Sequence, residues 1–132
     1  MYGRAGLAYV YFCYGCHWML NVVAGREGEA QAVLVRAAIP VSGLDAIRGR
    51  RAKARRDEDL LSGPGRLAQG LAIDQAHNGV DLLAADAPIR LLPSHQRRQV
   101  VPGPRIGIAT GKGEDIPWRF VDQELRSWAS RA

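Results

Sequence analysis

Apolar and aromatic residues crowd the start of the chain and thin out after it. Residues 7–14 (LAYVYFCY) are rich in β-branched and aromatic types, which favours a strand. Gly15 can turn the chain, and residues 16–23 (CHWMLNVV) read as a second strand, so the two predict a hairpin. Residues 24–29 (AGREGE) form a polar turn, and residues 30–37 (AQAVLVRA) alternate enough for a third strand that ends before Pro40. Three consecutive strands with short turns predict an antiparallel meander.

The period then changes. Ser42, with Asp45 three residues on, has the form of a capped helix start. Leu44, Ile47, Ala52 and Ala54 give that helix only a thin apolar stripe, so it is expected to be largely solvated. Pro64 fits the first turn of a second helix whose apolar positions run to Ile73. Free amides at that turn would make an anion site; the plain alternative is an ordinary capped start. Asn78-Gly79 is a strong turn signal. Residues 88–92 and 105–109 read as further strands, Trp118 and Phe120 fall in a last short one, and residues 126–132 end as a helical turn. The fold class expected is α+β. It comprises one domain over residues 1–132, with a curved antiparallel sheet, a protruding β-hairpin and a few flanking helices.

A length of 132 residues supports one core, and 47% hydrophobic with 23% charged residues is an ordinary globular composition. No apolar run reaches the length of a membrane span, and the first residues lack a signal-peptide cleavage pattern. A cytoplasmic location and no membrane partner are the expectation. The net charge of +5 makes polyanions natural partners, although a surface basic only for solubility gives the same total. Distribution sharpens this: basic residues cluster from Arg48 to Arg56, with Arg97 and Arg98 as a second small group, and such clusters can neutralise phosphates.

Cys13-Tyr14-Gly15-Cys16-His17 formally matches the pattern of covalent haem attachment. It lies in a β-like stretch with no export signal before it, and no helix start is at hand to stabilise a redox thiolate. His77 and His95 supply no second ligand pair for zinc. Both cysteines are expected to pack as small apolar side chains, with no metal and no cofactor.

The segment Tyr9-Val10-Tyr11-Phe12-Cys13-Tyr14-Gly15-Cys16-His17-Trp18-Met19-Leu20-Asn21 closely resembles the hairpin of the alkyladenine-type 3-methyladenine DNA glycosylases. Leu34-Val35-Arg36-Ala37 followed by Pro40 resembles that family's arginine-bearing strand. Ser62-Gly63-Pro64-Gly65-Arg66-Leu67-Ala68-Gln69 resembles its block at a helix start near the DNA backbone. Arg105-Ile106-Gly107-Ile108 and Pro117-Trp118-Arg119-Phe120 resemble its closing motifs. The resemblance implies base-excision repair of double-stranded DNA by a monofunctional enzyme, taken here to be a monomer, that flips alkylated purines into a pocket and hydrolyses the N-glycosidic bond. By the same match Tyr11 stacks on the flipped base, and Asn21 opposes the exocyclic amino group of guanine. Tyr14 is the wedge left in the duplex. Arg36 holds the catalytic water or the sugar-phosphate, and Gly63, Gly65 and Arg66 meet the DNA backbone. Singly, each has a plainer role: core aromatics, a satisfied buried amide, a structural ion pair.

The family's catalytic glutamate lies in a Glu-x-Tyr segment ahead of the hairpin. Glu27, Glu29, Glu58 and Glu114 stand in no equivalent motif. The expectation is a chain lacking its N-terminal segment. It is either a fragment or wrongly started form of an intact enzyme, or a truncated DNA-binding protein without activity, and the first is preferred. A small basic interaction domain without a pocket is the third reading. Convergence of Tyr11, Asn21 and Arg36 on one concavity separates it from the other two.

Overall fold

A computed structural model describes residues 1–130. The hairpin forms as the aromatic pattern predicts. β1 (Ala8–Cys13) and β2 (His17–Val23) pair antiparallel, with Tyr9 opposite Asn21, Tyr11 opposite Met19 and Cys13 opposite His17. β3 (Ala32–Leu34) adds to the other edge of β2 and is shorter than the sequence pattern suggests. Beyond it Val35 still donates to the Leu20 carbonyl, and Ala37 then leaves the sheet to bridge Ser62.

Alternation along β1 and β2 sorts the sheet into two faces. Ala8, Val10 and Leu20 turn inward and join Leu67, Ala68, Ile73 and Leu82 in the main core. Tyr9, Tyr11, Met19 and Asn21 occupy the opposite face by register. A smaller core gathers Ile47, Leu60 and Leu61, and Ala38 packs against both clusters.

The helix α1 (Leu44–Arg50) buries only Ile47, in line with its thin stripe. Ser42 does not cap it. The cap position is Gly43 at φ 66°, a left-handed conformation that glycine adopts at little cost, and no side chain caps the turn. The helix α2 (Pro64–Gly70) begins with Pro64 in its first turn and buries Leu67, Ala68 and Gly70. Its fixed φ and missing N–H suit that position. Asn78-Gly79 turns the chain, with Gly79 at φ 83°.

The later strands differ from the expected ones. Residues 88–92 lie outside any strand: Ile89 packs against the main core, but Leu91 and Leu92 are exposed, and Pro88 and Pro93 bracket the run. Residues 105–109 form a loop, with Gly107 at φ 74° and the Arg105 guanidinium donating to the carbonyls of Lys112 and Gly113. The strand lies just before it. β4 (Val100–Gly103) pairs antiparallel with β5 (Arg119–Asp122). Pro102, which lacks an N–H, sits where the ladder requires none, and this explains how a proline-bearing segment is a strand. Phe120 is in β5, and Trp118 immediately precedes it. The expected C-terminal turn over 126–132 is cut short: Arg126–Trp128 form a single 3-10 turn, Ala129 is extended at ψ 153° and Ser130 is not helical, and Arg131 and Ala132 lie outside the described residues. The α+β class holds, with the strands divided between two antiparallel sheets of three and two strands.

Candidate nucleic-acid interface

The hairpin tip presents Tyr14. Its φ is 52° and that of Gly15 is 66°, so two consecutive left-handed residues turn the chain, as tight hairpins require. Glycine meets this freely, whereas a tyrosine there costs about 1–2 kcal/mol. Tyr14 is also 91% exposed, so packing does not offset the strain. Cys16 is exposed and Cys13 half-buried, both as free thiols, which corrects the expectation that both pack inside. Cys16 belongs to the exposed turn rather than to either strand, and its Sγ lies 3.9 Å from the Cys13 carbonyl.

Below the tip, α2 lies against β2. A methyl group at Gly65 would come within 2.8 Å of the His17 ring, so the approach of helix to strand requires a residue without a side chain. This contact forms one wall of a cleft of about 780 Å³, lined by His17, Met19, Arg36, Gly63, Gly65 and Arg66. Arg51, Lys53, Arg55 and Arg56 complete it, so the run after α1 faces the same opening. Among the described residues Asp59 is the carboxylate lining it, and it accepts two hydrogen bonds from Arg56, at 3.1 and 2.9 Å. Burial, and then the neighbouring Arg66, pull the Arg51 guanidinium below its usual range. Arg36 is lowered likewise, by burial first and then by Arg119. Partly desolvated cations that repel one another gain when an anion arrives.

The structure brings Arg36, Gly63, Gly65 and Arg66 to this one cleft. It places Tyr14 apart, at the tip. Tyr11 and Asn21 do not line the cleft. Tyr11 adjoins it through Met19, its partner across β1 and β2, and its ring lies 5.3 Å from that of Tyr9 at 31°. Burial raises the Tyr11 phenol above its usual range. Asn21 is buried and donates from Nδ2 to the Tyr9 carbonyl at 3.1 Å, the plain structural role for an amide in a strand. Arg66 reaches back to Ser62, 3.4 Å from both its carbonyl and its hydroxyl.

Sequence reasoning did not single out Met19, Arg119 or Ser130. Ser130 lines the cleft beside Arg36, and its carbonyl accepts from Arg119 at 2.8 Å. Nothing in the sequence marks a serine near the end of the chain for this position.

A basic cleft beside a strained, exposed aromatic tip is a surface whose charge suits a polyanion. Residues 1–126 match the methylpurine-DNA glycosylase family, and the chain belongs to it. It is 50% identical over 125 residues to a Rhodopseudomonas palustris (strain HaA2) protein named "Putative 3-methyladenine DNA glycosylase", covering 91% of this chain and 57% of that one. A protein of the same name from strain CGA009 of that species is 50% identical over 131 residues, covering 96% and 59%. One from Burkholderia lata is 43% identical over 122 residues, covering 91% and 58%. The chain thus spans a little under three fifths of the length of these curated relatives. Among the described residues no helix is long and apolar enough to cross a membrane.

Proposed function

We propose that the chain grips duplex DNA and forms the pocket side of a base-excision glycosylase for alkylated purines such as 3-methyladenine. The observation that carries this reading is Tyr14: a fully displayed aromatic held in a strained turn, next to a cleft of converging arginines. Strained non-glycine residues that no packing rewards cluster at functional sites.

In this reading the cleft arginines hold the phosphates flanking the lesion, and Tyr14 fills the gap left when the nucleotide turns out. The face bearing Tyr9 and Tyr11 receives the base. A cationic alkylated purine over a tyrosine ring gains about 0.5–2 kcal/mol beyond stacking. Asn21, buried and tied to the Tyr9 carbonyl, holds the strand behind that face and in this way bounds the pocket against guanine. Arg36 steadies the sugar-phosphate or the attacking water. Hydrolysis then breaks the bond from the sugar C1′ to the purine nitrogen, water supplies the new C1′–O bond, and a carboxylate takes the water's proton.

That carboxylate is the point on which a second reading rests. Asp59, at the cleft, is engaged by Arg56, which disfavours it as a base. The 132 residues alone then bind DNA without cutting the glycosidic bond, and the part of the relatives that they do not match supplies the carboxylate.

Fluorescence anisotropy on duplexes with and without a stable abasic analogue tests the binding half. Tighter binding to the analogue, lost in Tyr14→Ala and weakened by salt, is expected. Equal affinity for both duplexes, unchanged by salt, would reject it.

A further inference from the structure

The hairpin tip carries two thiols for which the glycosylase reading has no use. The Cys16 N–H donates to the Cys13 carbonyl at 3.2 Å, closing a four-residue turn with Tyr14 at φ 52° and Gly15 at φ 66°. The ends of such a turn lie within about 7 Å of each other, and a disulfide usually spans Cα atoms about 4.4–6.8 Å apart. The Cys16 side chain leans back across the turn, its Sγ 3.9 Å from the Cys13 carbonyl. Both thiols are free, Cys16 exposed and Cys13 half-buried. An accessible thiol poised beside a second one is the arrangement in which a sulfenic acid is trapped as a disulfide. Cys13 also follows Tyr9 and Tyr11 on one face of β1, so a bridge there ties the end of that face to the tip.

We propose that Cys13 and Cys16 are a redox modification site, oxidised by hydrogen peroxide to a disulfide that spans Tyr14-Gly15 and locks the turn. The exposed Cys16 sulfur attacks one peroxide oxygen and keeps it as a sulfenic acid, while the other oxygen leaves as water. The Cys13 sulfur then displaces the sulfenic hydroxyl, and the S–S bond forms as a second water departs. Two thiols and one peroxide thus give one disulfide and two waters. The second step is intramolecular, so the closed turn brings the two sulfurs together without help from a helix end. A small thiol reverses the change by exchange and is itself oxidised to a disulfide.

Nothing packs on the Tyr14 ring to hold its left-handed backbone, so the reduced turn is free to relax. A bridge between residues 13 and 16 takes the open conformations away. The disulfide needs only the turn and stands whether or not the glycosylase reading does; its effect on DNA rests on that reading.

Treating the 132-residue chain with hydrogen peroxide, capping free thiols with iodoacetamide and mapping the peptides tests this. Both cysteines should escape capping in a single peptide lighter by two hydrogens, and dithiothreitol should return both. The link should form about tenfold faster in the native chain than in the same chain in urea. Exchange of the Cys16 amide should slow by about tenfold on oxidation. In Cys13→Ser, which lacks the second sulfur, Cys16 should advance to the sulfinic acid instead. Thiols that both stay open to capping, links between chains rather than within one, equal rates in buffer and urea, or unchanged exchange at Cys16 would each overturn the proposal. On an abasic-analogue duplex the oxidised chain should be retained about two- to tenfold longer than the reduced one, and Tyr14→Ala should remove that gain. Slowed exchange without the gain would uphold the disulfide and count against Tyr14 as the wedge.

Discussion

Arg36 and Ser130 meet across the fold, the Arg36 Nε donating to the Ser130 hydroxyl at 3.4 Å where the basic cleft adjoins the seam between the sheets. The bond is long, so the hydroxyl contributes little energy and mainly orients a partly desolvated guanidinium. Ser130→Ala is expected to cost about 0.5 kcal/mol in urea denaturation. Arg36→Ala should weaken DNA binding by about 1.5–3 kcal/mol, the range for hydrogen bonds to charged groups. Arg36→Lys should recover part of this, since it restores charge without the Nε donor. Equal DNA affinity for all three variants and the parent would remove Arg36 from the interface.

Tyr14 allows function and stability to be separated. Tyr14→Gly relieves the left-handed strain and should leave the fold as stable or up to about 1 kcal/mol more so. Tyr14→Ala keeps the strain and removes only an exposed ring, so its melting temperature should hardly move. Both should lose retention of a flipped nucleotide by a few kcal/mol at most. A stability loss of about 3–5 kcal/mol in Tyr14→Ala would instead mark a packed aromatic.

The hairpin was legible because burial on one face imposes alternation on Ala8, Val10 and Leu20, which any strand detector reads. The start of α2 was legible because Pro64 and two glycines allow few conformations. The partner of β5 was not: Pro102 reads as a strand breaker, and only the pairing shows that it occupies a position needing no donor. Residues 88–92 have a strand's composition without a partner, and composition cannot supply one. In the site, Arg36 and the Gly63–Arg66 block were found through their motif. Met19 and Ser130 are placed there by register and by chain return, which leave no local mark.

The basic run is not uniform. Arg48 is tied to Asp57 at 2.8 Å and Arg56 to Asp59 at 2.9 Å, whereas among the described residues Lys53 and Arg55 make no ion pair. Lys53→Ala and Arg55→Ala should each reduce the log–log salt slope of DNA binding by about 0.9. Arg48→Ala should change it much less. Equal effects from all three would show that the ion pairs open on binding.

Arg4 and Asp81 fasten the start of the chain to the loop after Gly79. The Asp81 carboxylate accepts from Arg4 at 2.6 Å and from the Leu83 N–H at 3.0 Å, and these two bonds, in that order, hold it below its ordinary value of 3.8. A lowered carboxyl stabilises the fold above its unfolded value, and that contribution is lost as pH falls through the folded one. Asp81→Asn should therefore lower the melting temperature at neutral pH. The difference from the parent should close below the ordinary aspartate range. A constant difference down to strong acid would mean the ion pair is not its source.

Release of 3-methyladenine from methylated duplex DNA decides between the two readings. Release by the 132-residue chain should be negligible, because loss of a general base removes about 10²–10⁴-fold in rate. Fusing the unmatched segment of the Rhodopseudomonas palustris HaA2 relative to the chain should restore release, and Arg36→Ala in that fusion should remove it again. Failure of the folded, DNA-binding fusion to release any alkylated purine would contradict the glycosylase reading. Robust release by the 132 residues alone would contradict the assignment of the carboxylate to the unmatched segment.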